Sequence, residues 1–346
     1  MKKIISIFST VILVIMIASG CGSFSDYRQY IKDYDEFQEY KAYKESIQTP
    51  ETVSDTIDLT VSSGDIPETV PETVEAVNTV SGNDLQQISD LVAERNEVYT
   101  WENSYEKTSK INEIDRKILE LGHYDFSNMT ADFIGDSITE GVGNEIEGVG
   151  KVSYVEYVND ALQFGTMIKN GLAGRTIADH DDTSLSIVRN ETNLVNINSQ
   201  VIVFFIGIND YLAPENAKVF GKLDSGSTSG YCGQLQELTK SLENNYPDKD
   251  YFFVTCYQIQ TTDSSVYKDL EGTVTLNDFM EPQRILAERN GYHIIELYNT
   301  GFMSMLAEGN YTHYFSDTIH PNAEGYRVLG EHIAAEILLY YLGIQP

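Results

Sequence analysis

The run Val201-Ile-Val-Phe-Phe-Ile206 is apolar throughout, with no polar residue alternating into it. Alternation would mark a strand with one wet face. Its absence marks a strand covered on both sides, which is how strands of a parallel sheet between helical layers read. Four other short runs of strand character lie along the chain, at Asp132–Gly135, Gly165–Lys169, Tyr251–Cys256 and Tyr292–Leu297. Helical patterns fill the spaces between and after them, at about residues 152–162, 183–196, 231–244, 277–291 and 323–341. The last sets Tyr326, Leu329, Ile333, Ile337 and Tyr341 on one face. Strand and helix alternating in this way predict an α/β fold, a three-layer α/β/α sandwich around a five-stranded parallel sheet with right-handed crossovers. Sites in such sheets lie beyond the carboxyl ends of the strands, so the chemistry belongs in the segments that follow each apolar run.

Those segments are distinctive. Phe133-Ile-Gly-Asp-Ser-Ile-Thr-Glu-Gly141 ends the first run, Asn170-Gly-Leu-Ala-Gly-Arg-Thr176 follows the second, and Gly207-Ile-Asn-Asp210 follows the third. Asp317-Thr-Ile-His-Pro321 precedes the last helix. These four blocks, in this order, resemble those of SGNH hydrolases of the GDSL esterase/lipase superfamily, and the resemblance covers about Tyr124 to Pro346. It implies a flavodoxin-like sheet and a serine esterase that needs no cofactor. It further implies Ser137 as nucleophile, His320 as general base and then acid, and Asp317 as the group that orients the imidazole. The oxyanion hole would comprise the Ser137 N–H, the Gly174 N–H and the Asn209 side-chain amide. Ester hydrolysis asks for these parts: a nucleophile, a base at its hydroxyl, a group holding that base, and donors where negative charge develops. Glycine at 174 is expected because a backbone without Cβ lets the substrate oxygen approach.

Other polar residues have plainer readings. Asp136 is expected to order its turn, and Asp210 to cap the segment after the third strand, both supporting the site. His180 stands among Asp179, Asp181 and Asp182, but neighbours in sequence rarely converge on one ion, so no metal is expected. His123, His293, His313 and His332 read as surface or packing residues. Cys232 and Cys256 fit either buried thiols or a disulfide, and three cysteines are too few for a disulfide scaffold.

Upstream, Lys2 and Lys3 precede an apolar stretch from Ile4 to Ile17, followed by Ala18-Ser-Gly-Cys21. That pattern predicts a lipoprotein signal peptide over residues 1–20 with Cys21 as the lipidated residue. The protein would then be exported to the outer face of a bacterial cell membrane and touch the bilayer only through its anchor. Residues 21–84 read as an acidic tether, in which Pro50-Glu-Thr-Val53 recurs at 67–70 and 71–74 with almost no large side chains to bury. Residues 85–123 regain periodicity, through Leu85, Ile88, Leu91 and Val92 and then Ile111, Ile114, Ile118 and Leu121. They read as helices packed on a catalytic domain over 124–346, with Trp101 between them as a conceivable cleft residue.

Charge and loop composition bear on the substrate. With 23 Lys+Arg against 53 Asp+Glu, a net −30, the chain lacks the clustered cations that nucleic-acid phosphates require. The loops at 212–230 and 258–276 fall at the catalytic edge and are rich in Gly, Ser, Thr and Asp, with no long apolar segment to serve as a lipase lid. The expected substrate is therefore an acylated small molecule or glycan carrying short acyl groups, acetyl above all. Tyr211, Tyr257, Tyr314 and Phe315 flank the motifs and either stack on sugar rings or pack beneath the site. Three other readings stay open: a lysophospholipase- or thioesterase-like lipid esterase, a glycan O-acyltransferase using the same triad, and a non-catalytic glycan-binding lipoprotein.

Overall fold

The structure, a computed structural model, describes residues 80–179, 183–212, 220–228, 230–260, 267–269 and 272–345. The expected leader, Cys21 and the tether up to residue 79 lie outside the described residues, as do His180, Asp181 and Asp182. Five strands form one sheet: β1 (Thr130–Gly135), β2 (Thr166–Gly171), β3 (Val201–Phe205), β4 (Asp250–Val254) and β5 (His293–Ile295). Their spatial order is β2-β1-β3-β4-β5 and every pairing is parallel. All five residues of β3 are buried, as its unbroken apolar run requires.

Among the described residues ten α-helices accompany the sheet: α1 (Gly82–Tyr99), α2 (Tyr105–Leu121), α3 (Ser137–Glu140), α4 (Tyr154–Leu162), α5 (Ile187–Leu194), α6 (Ile208–Leu212), α7 (Gly230–Asn245), α8 (Leu276–Asn290), α9 (Asn310–Tyr314) and α10 (Ala323–Tyr341). α4 and α10 pack together, with Tyr154 of α4 laid against Phe133 and Phe205 of the sheet. α7 packs on both α5 and α8. Gly330 lets α10 approach α4, since a Cβ there would fall 2.6 Å from the Tyr157 Cβ. The segment expected as a helix over 183–196 is a single 3₁₀ turn, Thr183–Leu185, and then α5, because the Ser186 hydroxyl caps α5 at the Arg189 N–H.

α10 is buried well beyond the one expected face, with Val328, Ala334, Ala335 and Leu338 enclosed as well. The reason is the hairpin α1–α2, whose second helix lies along α10. Ile88, Ile111, Ile114 and Ile118 are fully buried in the common core. Arg95, also fully buried, donates to Asp115 Oδ1 (2.7 Å) on α2 and to Glu336 Oε1 (2.5 Å) on α10. Asp115 Oδ2 in turn meets His332 Nδ1 at 2.7 Å, so one guanidinium ties three helices together. Cys232 and Cys256 are both buried free thiols, which resolves their alternatives against a disulfide. Among the described residues no helix is long and apolar enough to cross a membrane.

Candidate active site

The parallel register sets Gly171, Gly135, Phe205, Val254 and Ile295 in one row across the C-terminal edge of the sheet. Chain order reverses at β1, which is where such sheets open a crevice. From Gly135 the chain turns at once into α3, with Asp136 as N-cap and Ser137 as first helical residue. Gly135 admits no side chain, because a Cβ would lie 2.0 Å from Thr139 Oγ1 and 2.5 Å from the Phe205 carbonyl.

His320 arrives from the far end of the chain, and its ring is engaged at both nitrogens. Nε2 lies 2.8 Å from Ser137 Oγ and Nδ1 lies 2.8 Å from Asp317 Oδ2. Asp317 Oδ1 accepts the backbone N–H groups of Ile319 (2.8 Å) and His320 (2.7 Å), a tight Asx turn that aims the other oxygen at the ring. Burial works against the Asp317 charge, but the His320 N–H, the imidazole and the Ile319 N–H outweigh it and hold the carboxyl below its ordinary value. Such a chain of contacts can take a proton from the serine hydroxyl and hold it on the imidazole.

The segment after β2 forms a turn closed by the Arg175 N–H on the Leu172 carbonyl (3.1 Å), with Gly174 at φ +81°. The third residue of such a turn needs positive φ, and this is why glycine stands there. Towards the protein itself the position is open, since a Cβ there would touch only Leu185 Cδ1, at 3.6 Å. Arg175 is buried and donates to the Gly135 and Asn170 carbonyls, fastening this turn to β1. Asn209 Nδ2 donates to the Arg175 carbonyl (3.0 Å), which orients the side-chain amide beside the same turn.

The supporting aspartates divide the work. Asp210, expected to cap the segment after β3, accepts the Ile177 (2.8 Å) and Ala178 (2.9 Å) N–H groups on its two carboxylate oxygens, clamping the loop beyond Gly174. Asp136 accepts the Ile138 N–H at 2.9 Å, as a turn-ordering residue should. Burial pushes the Asp136 carboxyl up to about 7, with the Asp210 charge adding to the effect. An acid whose folded pKa lies above its unfolded one keeps its proton in the fold while the unfolded chain has lost it. Stability from this group is therefore full below about pH 4 and falls as pH rises to about 7, by up to about 1.4 kcal/mol per unit. Asp136→Asn should remove that slope, read from urea midpoints between pH 4 and 8; an unchanged slope would place the titration elsewhere.

Tyr211, Tyr257, Tyr314 and Phe315 are all buried, and Tyr257 donates its hydroxyl to the Ile319 carbonyl (2.6 Å) next to His320. Trp101 is exposed in the linker between α1 and α2. Part of each expected wall loop falls at residues 213–219, 229, 261–266 and 270–271, outside the described residues. No group of metal-binding side chains occurs among the described residues.

A parallel sheet with a serine, a histidine and an aspartate hydrogen-bonded in series at its C-terminal edge is an arrangement suited to the hydrolysis of acyl bonds. The chain belongs to the GDSL-like lipase/acylhydrolase family, whose model matches residues 133–328, and it is an ester-hydrolysing enzyme. It is similar in structure to a protein from Lactobacillus plantarum (22% identity, TM-score 0.52, covering 63% of this chain and 99% of that one). It is also similar to a possible lipase from Chitinophaga pinensis (18%, 0.46, 63% and 100%). A carbohydrate acetylesterase family member from Sinorhizobium meliloti is a further likeness (18%, 0.44, 62% and 100%). No curated protein matches the sequence. At 22% identity the first of these likenesses speaks for the fold alone.

Proposed function

We propose that the protein is a serine esterase that removes short acyl groups, acetyl above all, from a carbohydrate or cell-wall glycan. In this reading Ser137 Oγ attacks the ester carbonyl while His320 Nε2 takes its proton. The leaving alcohol then receives that proton, and water attacks the acyl-enzyme by the same route in reverse. Asp317 holds the ring tautomer and stabilises the imidazolium. The oxyanion is met by the Ser137 N–H, the Gly174 N–H and the second Asn209 amide proton, the first being occupied by the Arg175 carbonyl. The observation that carries this reading is the doubly engaged ring of His320, at 2.8 Å to each partner. The short-acyl preference is supported by the polar rim, where Ser316, Asp317 and Thr318 are exposed beside the ring.

Hydrolysis of p-nitrophenyl acetate and octanoate by the full chain, followed by acetate release from O-acetylated xylan and peptidoglycan, tests it. Preference for octanoate would move the substrate to lysophospholipids or thioesters. Transfer to an added sugar in place of water would make the protein an O-acyltransferase. For its place in the cell, we propose an exported lipoprotein anchored through Cys21, because a basic, short apolar, small-residue leader precedes that cysteine. Cells fed radiolabelled palmitate should label the wild-type protein and leave Cys21→Ala unlabelled; equal labelling would remove the anchor.

A further inference from the structure

Glu140 ends the short helix α3 that begins with Ser137. Its two carboxylate oxygens do different things. Oε2 accepts the backbone N–H of Ala173 at 2.7 Å, and Oε1 accepts Lys151 Nζ at 2.6 Å. Ala173 is the residue before Gly174, in the turn that Arg175 closes on Leu172. The two segments are also pressed together along the backbone, since a Cβ on Gly171 would fall 2.1 Å from the Glu140 N. Burial works against the Glu140 charge, but Lys151 and the Ala173 N–H more than offset it, so the group remains an ionised acceptor. Lys151 is itself fixed in a small antiparallel ribbon, Glu145–Ile146 paired with Gly150–Lys151, and its carbonyl accepts from Lys169 Nζ at 2.8 Å.

An oxyanion hole works only if its donors keep their spacing while charge develops between them. Two of the three donors invoked above come from different elements, the Ser137 N–H from α3 and the Gly174 N–H from the turn after β2. We propose that Glu140 is a positioning residue for the reaction: its carboxylate, steadied by Lys151, locks the Gly174 turn to the helix that carries Ser137 and so sets the separation of the two backbone donors. This rests on the serine-esterase reading of the same site. Glu140 touches neither the nucleophile nor its base, so its effect falls on transition-state stabilisation and not on substrate binding.

The test uses the full chain with p-nitrophenyl acetate as substrate and phenylboronic acid as a mimic of the tetrahedral adduct. Glu140→Ala should lower kcat by about 10- to 100-fold, less than the loss of a whole donor, with KM within about twofold of wild type. Affinity for the boronic acid should fall by the same factor as kcat. Glu140→Gln keeps an amide oxygen for the Ala173 N–H and should stay within about threefold of wild type, while Lys151→Met should cost about threefold. A kcat for Glu140→Ala within twofold of wild type would overturn the proposal. So would a loss of kcat without loss of boronate affinity, or a Gln variant as poor as the Ala variant. Ser137→Ala is measured alongside: if it retains wild-type turnover, the serine-esterase reading fails and this inference with it, whereas an inert Ser137→Ala beside an unaffected Glu140→Ala sinks the inference alone.

Discussion

Ser137→Ala should lower kcat on p-nitrophenyl acetate by at least about 10³-fold, and His320→Ala should do the same. Each substitution removes one end of a 2.8 Å contact and leaves the rest of the site standing. Without Ser137 there is no atom to acylate; without His320 the hydroxyl keeps its proton and is a poor nucleophile. The double variant should be no worse than either single one, because the pair acts as a unit and its losses do not add. Folding should survive, since both groups face the crevice and neither fills the core. Turnover and fluorophosphonate labelling of the three variants check this. Activity within tenfold of wild type in either single variant would remove the assignment of nucleophile and base.

Arg95→Met should be the most costly change outside the site, by about 3–5 kcal/mol. The guanidinium is fully enclosed and faces two carboxylates, Asp115 and Glu336. Removing it leaves both buried without the guanidinium, with only His332 beside Asp115 and His293 beside Glu336. The expected loss is a large part of the roughly 5–15 kcal/mol that holds an ordinary domain together. Burial alone would raise the Glu336 carboxyl, yet Arg95, with help from His293 and His332, holds it at about 2. A depressed folded pKa gives stability that is present above the ordinary carboxylate range and lost as pH falls towards 2. The wild-type advantage over Arg95→Met should therefore shrink in acid. Urea midpoints at pH 7 and pH 3 measure it, with Lys117→Met as a surface control whose exposed pair with Glu113 should contribute under about 1 kcal/mol. A loss below about 1 kcal/mol for Arg95→Met would mean that apolar contacts alone dock the α1–α2 hairpin.

The sequence was most legible where burial is complete and partners are near. α10 runs over the expected residues, Ala323 to Tyr341, and β3 over five of its expected six, because an unbroken apolar pattern has one stable outcome. Strand ends were read less well: β2 runs to Gly171, two residues beyond the expected end, and β4 stops at Val254, two residues short of it. Ser137, Asn209, Asp317 and His320 stood in compact blocks and could be found. What those blocks hid were reasons and partners. Gly174 also meets the turn's positive φ, and Asp210 reaches across to a loop after another strand. Glu140 and Arg95 escaped altogether, because their significance lies in contacts with residues 33 and 241 positions away. A lone arginine on an otherwise ordinary helix carries no local sign that it will be enclosed.

The separation of Ser137 from His320 has a consequence for biosynthesis. The two atoms that meet at 2.8 Å lie 183 residues apart in the chain. A ribosome making this protein delivers the nucleophile and the β1–α3 turn first. It supplies the imidazole only after the last strand of the sheet, just ahead of α10. Every unfinished or prematurely terminated product that stops before residue 320 therefore carries Ser137 without His320. On the triad proposed above, acyl cleavage would await synthesis of that last segment, and a shorter nascent chain would be inert toward esters it meets on the way.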